Sequence, residues 1–298
     1  MARHFLTGDE LTRGELLGLL DRAVELKADR GASRALNGRS VALIFERPST
    51  RTRVSFEVGV AELGGHPVVL REGETQLARG EPLRDFAVVL SRFVAAIGVR
   101  TGPHATVDEL AEHSDVPVIN MLTADHHPCQ GLADLLTLRE RFGDLEGLKL
   151  AYVGDGNNVA NSLMLLGAKA GMEVAVATPE ERRPSLSVDG GSVTVTSDPA
   201  AAAAGAHALY TDVWVSMGDE AQADALRTAL APYRLDTALL ERARPEAVAL
   251  HCLPAHPGEE IAADVLYGER SAVWDQAENR LHAQKALLEL LVAGAASS

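Results

Sequence analysis

The run Arg47-Pro48-Ser49-Thr50-Arg51-Thr52-Arg53 follows an apolar stretch and leads into a helical pattern carrying Val54, Phe56 and Val60. Hydroxyls and arginines at a helix N-terminus meet free backbone N–H groups and the positive end of the helix dipole. That setting favours an anion, and guanidinium adds bidentate bonds to phosphate oxygens. The implied chemistry is phosphate binding, although Ser49 or Thr50 capping a helix whose arginines face solvent would leave the same pattern. A Walker-type Gly-Lys-Ser/Thr loop is absent, so a nucleotide held in that way is not expected. Arg100 and the segment His126-His127-Pro128-Cys129-Gln130 follow two further apolar runs. Arg100 and His127 could donate to a carbonyl oxygen, with Gln130 beside them. Each alone also fits an ordinary structural role, and Cys129 reads as a small buried hydrophobe rather than a nucleophile.

In the second half, Gly154-Asp155-Gly156-Asn157-Asn158-Val159 looks at first like a dinucleotide fingerprint. Val159 occupies the third-glycine position, and the next strand-like run, Ala175-Val176-Ala177-Thr178, ends without an acid, so no nicotinamide cofactor is expected. The paired asparagines suit the carboxylate of a small zwitterion instead. Asp212 opens the segment Asp212-Val213-Trp214-Val215-Ser216-Met217-Gly218, and His251-Cys252-Leu253-Pro254 closes the last strand-like run. No His/Cys/Asp spacing resembles a zinc site, so neither a metal nor a cofactor is expected.

These residues need a scaffold that brings strand ends together. From Ser40 onward, β-type runs (SVALIFE, HPVVLRE, AAIGVRT, VPVINML) alternate with helical patterns, and near Lys149 the alternation restarts (LKLAYVG, MEVAVAT, SVTVTSD, HALYTD, AVALHCLP). The pattern predicts an α/β protein of two doubly wound domains with mostly parallel sheets, linked by helices, over residues 1–132 and 133–275. A final helix at about 276–298 would pack back on the first domain. The opening segment MARHFLTGDELTRGELLGLLDRA reads as one amphipathic polar helix, without the apolar core of a secretory signal. At 298 residues, 46% hydrophobic and 23% charged, the chain is long enough for two buried cores. Its net charge of −14 argues against nucleic acid or an anionic membrane as partner, so an anionic substrate needs a local basic pocket. No apolar run approaches the roughly 20 residues of a membrane span. Two cysteines 123 positions apart suggest a reducing, cytoplasmic setting.

The segments FERPSTRTRVSFE, LARGEPL, HPCQGLADLLT, GDGNN, DVWVSMG, HCLPAH and AENRLHAQKALL occur in the order seen in the ornithine carbamoyltransferases, which the chain resembles from about Phe5 to its last helix. The STRTR and HPCQ elements are common to the wider transcarbamoylase family, whereas the SMG and HCLP segments resemble the ornithine branch. The resemblance implies an active site in a cleft between the two domains. There Ser49, Thr50, Arg51 and Thr52 would hold the phosphate of carbamoyl phosphate, and Arg100 would bridge phosphate and carbonyl oxygen. It implies that His127 polarises that carbonyl while Gln130, Arg280 and the backbone carbonyls of Cys252 and Leu253 surround the carbamoyl NH2. L-ornithine would meet Asn158, Asp212, Ser216 and Met217. The resemblance also implies a homotrimer or a multiple of trimers, with Gln76 reaching a neighbouring subunit's site. Pro257 stands where relatives usually carry arginine.

The implied product is L-citrulline, formed by attack of the δ-amine on the carbamoyl carbon, and the expected role is arginine biosynthesis. An alkylammonium of pKa near 10.4 lies about 3.4 units from neutrality at pH 7, a penalty of about 4.6 kcal/mol. Asp212 alone would stabilise the ammonium, which makes Cys252 the candidate proton acceptor, more so beside a cation. Arg100, His127 and Thr52 would meet the charge that develops on the carbonyl oxygen. The competing readings are carbamoyl transfer to putrescine or an acylated ornithine, a nicotinamide-dependent dehydrogenase, and a catalytically silent binding protein. Asn158 and Ser216-Met217-Gly218 favour an acceptor with free α-amino and carboxylate groups.

Overall fold

β-Branched and aliphatic runs too short for helices become strands, and each is followed by a helix that covers the sheet. The computed structural model describes residues 2–188, 191–215 and 220–295. The chain divides into two compact units, Met1–Leu136 with Asn279–Ser298, and Thr137–Glu278.

In the first unit the order is α1 (Arg13–Ala28), β1 (Ser40–Phe45), α2 (Thr50–Glu62), β2 (His66–Arg71), α3 (Leu83–Leu90), β3 (Ala96–Arg100), α4 (His104–His113), β4 (Val118–Leu122) and the start of α5 (Pro128–Phe142). The four strands form one sheet in the order β2-β1-β3-β4, with every pairing parallel. The chain winds outward from β1 to β2 and then crosses to β3, so the sheet reverses direction between β1 and β3. Ligands of open α/β sheets bind at such a switch, outside the carboxyl ends of the strands.

The opening segment departs from the single helix its sequence suggests. Phe5 is fully buried and extends the sheet edge, its N–H bonding Val118 O at 2.9 Å and its C=O accepting from Asn120 N–H at 2.8 Å. The helix begins only after Thr12, which forms a capping box with Glu15. An aromatic anchor on the sheet edge outweighs helical periodicity over those first residues.

The second unit continues with β5 (Lys149–Val153), α6 (Asn158–Ala170), β6 (Glu173–Ala177), β7 (Val193–Thr196), α7 (Pro199–Ala203), β8 (Ala208–Thr211), α8 (Ala223–Leu230), α9 (Thr237–Leu240), β9 (Val248–His251), α10 (Ala263–Leu266) and the first turns of α11 (Val273–Ala295). Its sheet runs β7-β6-β5-β8-β9, again parallel throughout, with the switch between β5 and β8. Ala151, Val153, Leu209, Ala249, Leu226 and Leu230 contribute to its core.

The last turns of α11 belong to the first unit. Fully buried Lys285 donates to Glu62 Oε2 at 2.7 Å and to Arg30 O at 2.8 Å, and Glu289 accepts from Arg22. These bonds anchor this part of α11 to α2 and to the segment after α1.

Candidate active site

At the first switch, Ser49 is the N-cap of α2, its side chain accepting from Thr52 N–H at 3.3 Å. A cap of this kind is worth about 1 kcal/mol, and it leaves the exposed Thr50 and Arg51 at the open first turn. Arg53 turns toward Glu57 along the helix, at 3.4 Å. Thr52 is fully buried, and Arg280 of α11 donates through Nη2 to its Oγ1.

Arg100 ends β3 and is 8% exposed, His127 precedes α5 and is 4% exposed, and Gln130 lies within its first turn at 1%. Burial drives the His127 pKa well below its ordinary value, and the Arg280 and Arg100 charges push it further down. The imidazole is therefore neutral near pH 7 and able to offer an N–H without carrying charge. Gln130 donates to Asp134 Oδ1 at 2.8 Å, while its Oε1 is buried without a hydrogen-bond partner. A buried acceptor of that kind matches a ligand N–H. Cys129 donates its S–H to Asn120 O, and burial pushes its thiol up to about 12, so it is an unreactive core residue.

Gln76 stands exposed at the start of a 3-10 turn, and no described hydrogen bond links it to residues 49–53. A pocket of about 370 Å³ beside it is lined by Thr75, Leu77 and Arg71 among others, and of the run from Arg47 to Arg53 only Arg47 lines it.

At the second switch, Gly154 has φ +139°, and a Cβ on Gly156 would sit 2.2 Å from the Arg182 carbonyl oxygen. Gly154 therefore serves a backbone conformation that other residues rarely adopt, and Gly156 the close passage of the segment at Arg182. Asp155 is clamped by Arg182 through Nε at 2.8 Å and Nη2 at 2.6 Å. Asn158 begins α6, half-buried. Asp212, 6% exposed, accepts from Cys252 Sγ–H on Oδ1 at 2.9 Å and from Asn157 Nδ2 on Oδ2 at 2.9 Å. Sequence reasoning did not single out that role of Asn157. Its position before the periodic run of α6 was legible as a cap, which it also is, accepting from Val159 and Ala160 N–H. Leu253 has φ +60°. Ser216 and Met217 lie outside the described residues.

Oxygen, nitrogen and sulfur atoms of Asp212, His251 and Cys252 lie within 4.8 Å of one another. Both ring nitrogens of His251 are engaged, Nδ1 by Leu253 N–H and Nε2 by Glu260. That leaves two donors, short of the three or four protein ligands of a zinc site. Within this unit the Cys252 thiol faces the Asp212 carboxylate.

Two parallel, doubly wound units, one with buried cations at its switch and the other with an acid–thiol pair, define a two-domain α/β enzyme. The family model for the aspartate/ornithine carbamoyltransferase carbamoyl-P binding domain matches residues 3–140, and that for the Asp/Orn binding domain matches residues 146–291. The ornithine carbamoyltransferase of Acidothermus cellulolyticus is 55% identical, covering 98% of this chain and 97% of its own. The Methanoculleus marisnigri enzyme of the same name is 52% identical, covering 100% and 99%. The solved ornithine carbamoyltransferase of Pyrococcus furiosus superposes with a TM-score of 0.93 at 46% identity, covering 98% of each chain. The chain belongs to the aspartate/ornithine carbamoyltransferase family.

Proposed function

We propose that the chain transfers the carbamoyl group of carbamoyl phosphate to the δ-amine of L-ornithine, releasing L-citrulline and phosphate. The observation that carries this reading is the buried set at the first switch: Thr52 bonded to Arg280, and a neutral His127 in the field of Arg280 and Arg100. Cations suit the phosphate, and a neutral N–H donor suits a carbonyl whose oxygen gains charge only in the transition state. Ser49, Thr50, Arg51 and Thr52 take the phosphate, Arg100 spans phosphate and carbonyl oxygen, and His127 polarises the carbonyl. Gln130 Oε1 accepts from the carbamoyl NH2, which Arg280 also borders.

Asn158, Asp212, Ser216 and Met217 hold ornithine, and the Asp212–Cys252 pair manages its proton. The Sγ–H to Oδ1 bond gives the thiol proton a way out through the carboxylate to solvent, leaving Sγ to accept one from the δ-ammonium. The freed nitrogen lone pair attacks the carbamoyl carbon and the C=O electrons move to oxygen. Collapse then restores the C=O and breaks the bond to the phosphate oxygen; phosphate leaves with that electron pair and takes the second proton from the attacking nitrogen, which ends as the neutral ureido N–H of citrulline.

We assign the enzyme to arginine biosynthesis in the cytoplasm. Both described cysteines are free thiols, and no helix among the described residues is long and apolar enough to cross a membrane. A homotrimer that shares sites through Gln76 is supported by the exposure of Gln76 and by exposed Val88, Val89 and Phe93 in and after α3. The test is citrulline-type product formation from carbamoyl phosphate with ornithine, putrescine, aspartate or N-acetylornithine as acceptor. Turnover with ornithine alone is expected, and preference for any other acceptor overturns the substrate assignment.

A further inference from the structure

Leu253 sits in the left-handed region at φ +60°, where a residue with a Cβ is held only by surroundings that over-determine it. Its N–H donates to Nδ1 of His251, two residues back, at 2.9 Å. An Nδ1 that accepts carries no proton, so the ring proton is on Nε2, which faces Glu260 Oε1 at 3.1 Å. His251 is 1% exposed and Glu260 fully buried. Glu260 Oε1 also accepts the His256 N–H at 2.5 Å.

The segment that delivers Glu260 is itself tied down. Leu235 N–H bonds Glu260 O at 2.8 Å, Ala262 N–H bonds Leu235 O at 2.9 Å, and Gly258 N–H bonds Ile261 O at 2.8 Å. Pro257 bridges to Ile261 across that turn. On the other side, His251 N–H is held by Gln276 Oε1 at 2.9 Å. Burial works against charge on Glu260, but the bonds from His251 and His256 outweigh it and hold the carboxyl below its ordinary pKa.

We infer that Glu260 is a positioning residue, which by accepting the His251 Nε2–H selects the tautomer that locks Leu253 and so aims the Cys252 thiol at Asp212. With the ring proton on Nδ1 instead, two N–H groups would face each other and Leu253 would lose its anchor. Cys252 lies between the two locked residues, and its Sγ then has no fixed approach to Oδ1. The inference rests on the proposed role of the Asp212–Cys252 pair in handling the ornithine proton.

The experiment compares Glu260→Gln, Glu260→Asp and Glu260→Ala in the full chain, with circular dichroism for folding and kcat and KM for both substrates. The Gln amide oxygen can still accept from Nε2–H, so E260Q should keep kcat within about threefold. E260A and E260D, the latter with its carboxylate withdrawn by one methylene, should lose kcat on the order of 10²-fold, the usual consequence of a misplacement of about 1 Å. The KM for ornithine should change little.

A folded E260A with kcat near wild type, or E260D more active than E260Q, overturns the inference; the second outcome would mean that the charge matters and the acceptor position does not. If E260A does not fold, the Gln and Asp variants decide the question. The wild-type chain supplies a measurement independent of any variant: nitrogen NMR of labelled His251 should find the proton on Nε2, and a proton on Nδ1 overturns the inference. Wild-type citrulline formation is the control, because its absence defeats the catalytic reading, whereas its presence beside an unaltered E260A defeats only the role of Glu260.

Discussion

Replacing Asp212 by asparagine removes one charge and changes almost nothing in volume, so its consequences can be worked out bond by bond. Oδ2 accepts from Asn157 Nδ2 and Oδ1 from Cys252 Sγ–H, both at 2.9 Å. In the variant the single amide oxygen can face Asn157, and the new NH2 can face Sγ, which rotates its own hydrogen away and accepts weakly. The loop therefore stays closed and the fold is expected to persist. What is lost is a charge-assisted bond to an ornithine ammonium, worth about 1.5–3 kcal/mol, so the KM for ornithine should rise roughly 10- to 150-fold, and kcat should fall as well because the amide no longer accepts the thiol proton. The KM for carbamoyl phosphate should stay within about twofold, because the side chains assigned to it belong to the first unit. Steady-state kinetics with each substrate varied in turn, and a melting curve beside them, make the measurement. Equal weakening of both substrates, or unchanged ornithine kinetics in a folded variant, would refute the assignment of Asp212 to the acceptor.

Iodoacetamide near pH 8 should label Cys252 and spare Cys129, whose thiol is pushed up to about 12 by burial, and peptide mapping reads the ratio. His127 titrates well below its ordinary value because it is buried near two arginines, so below pH 6.5 the unfolded chain binds a proton that the folded chain does not. Stability should therefore fall as pH falls from 6.5, by up to about 1.4 kcal/mol one unit below, and His127→Gln should flatten that part of the Tm–pH curve. If Gln76 completes a neighbour's site, mixing inactive Arg51→Ala and Gln76→Ala chains after dissociation should restore activity at the interfaces that join two intact partners. Remixed hybrids no better than their parents would place Gln76 outside a shared site.

The α/β fold was readable because its strands are short apolar runs between helical periods, a local signal that the parallel registers of both sheets reproduce. Where a single buried side chain outweighed the pattern, the reading failed: Phe5 docks on the sheet edge, and only Thr12 starts the helix. The candidate site divides in the same way. Ser49, Asn157 and the glycines at 154 and 156 stand out locally, since caps and tight turns demand particular residues at fixed offsets from a strand end.

The contacts that give those residues a chemical setting are long-range. Arg280 reaches Thr52 across 228 positions, Cys252 reaches Asp212 across 40, and Arg182 clamps Asp155 across 27. No spacing rule connects such pairs; sheet order and the packing of α11 bring them together. The resemblance could attach Arg280 to the carbamoyl group, but it gave no reason for the neutral state of His127, which arises from burial and from two arginines in different elements. Glu260 was invisible for the opposite reason, being nine positions from His251 in an unremarkable acidic pair, with a function that exists only through the ring it touches. The chemistry at each switch is thus set less by which residues stand there than by the buried partners that fix their protonation and direction, and those partners are where substitutions should most change turnover at constant fold.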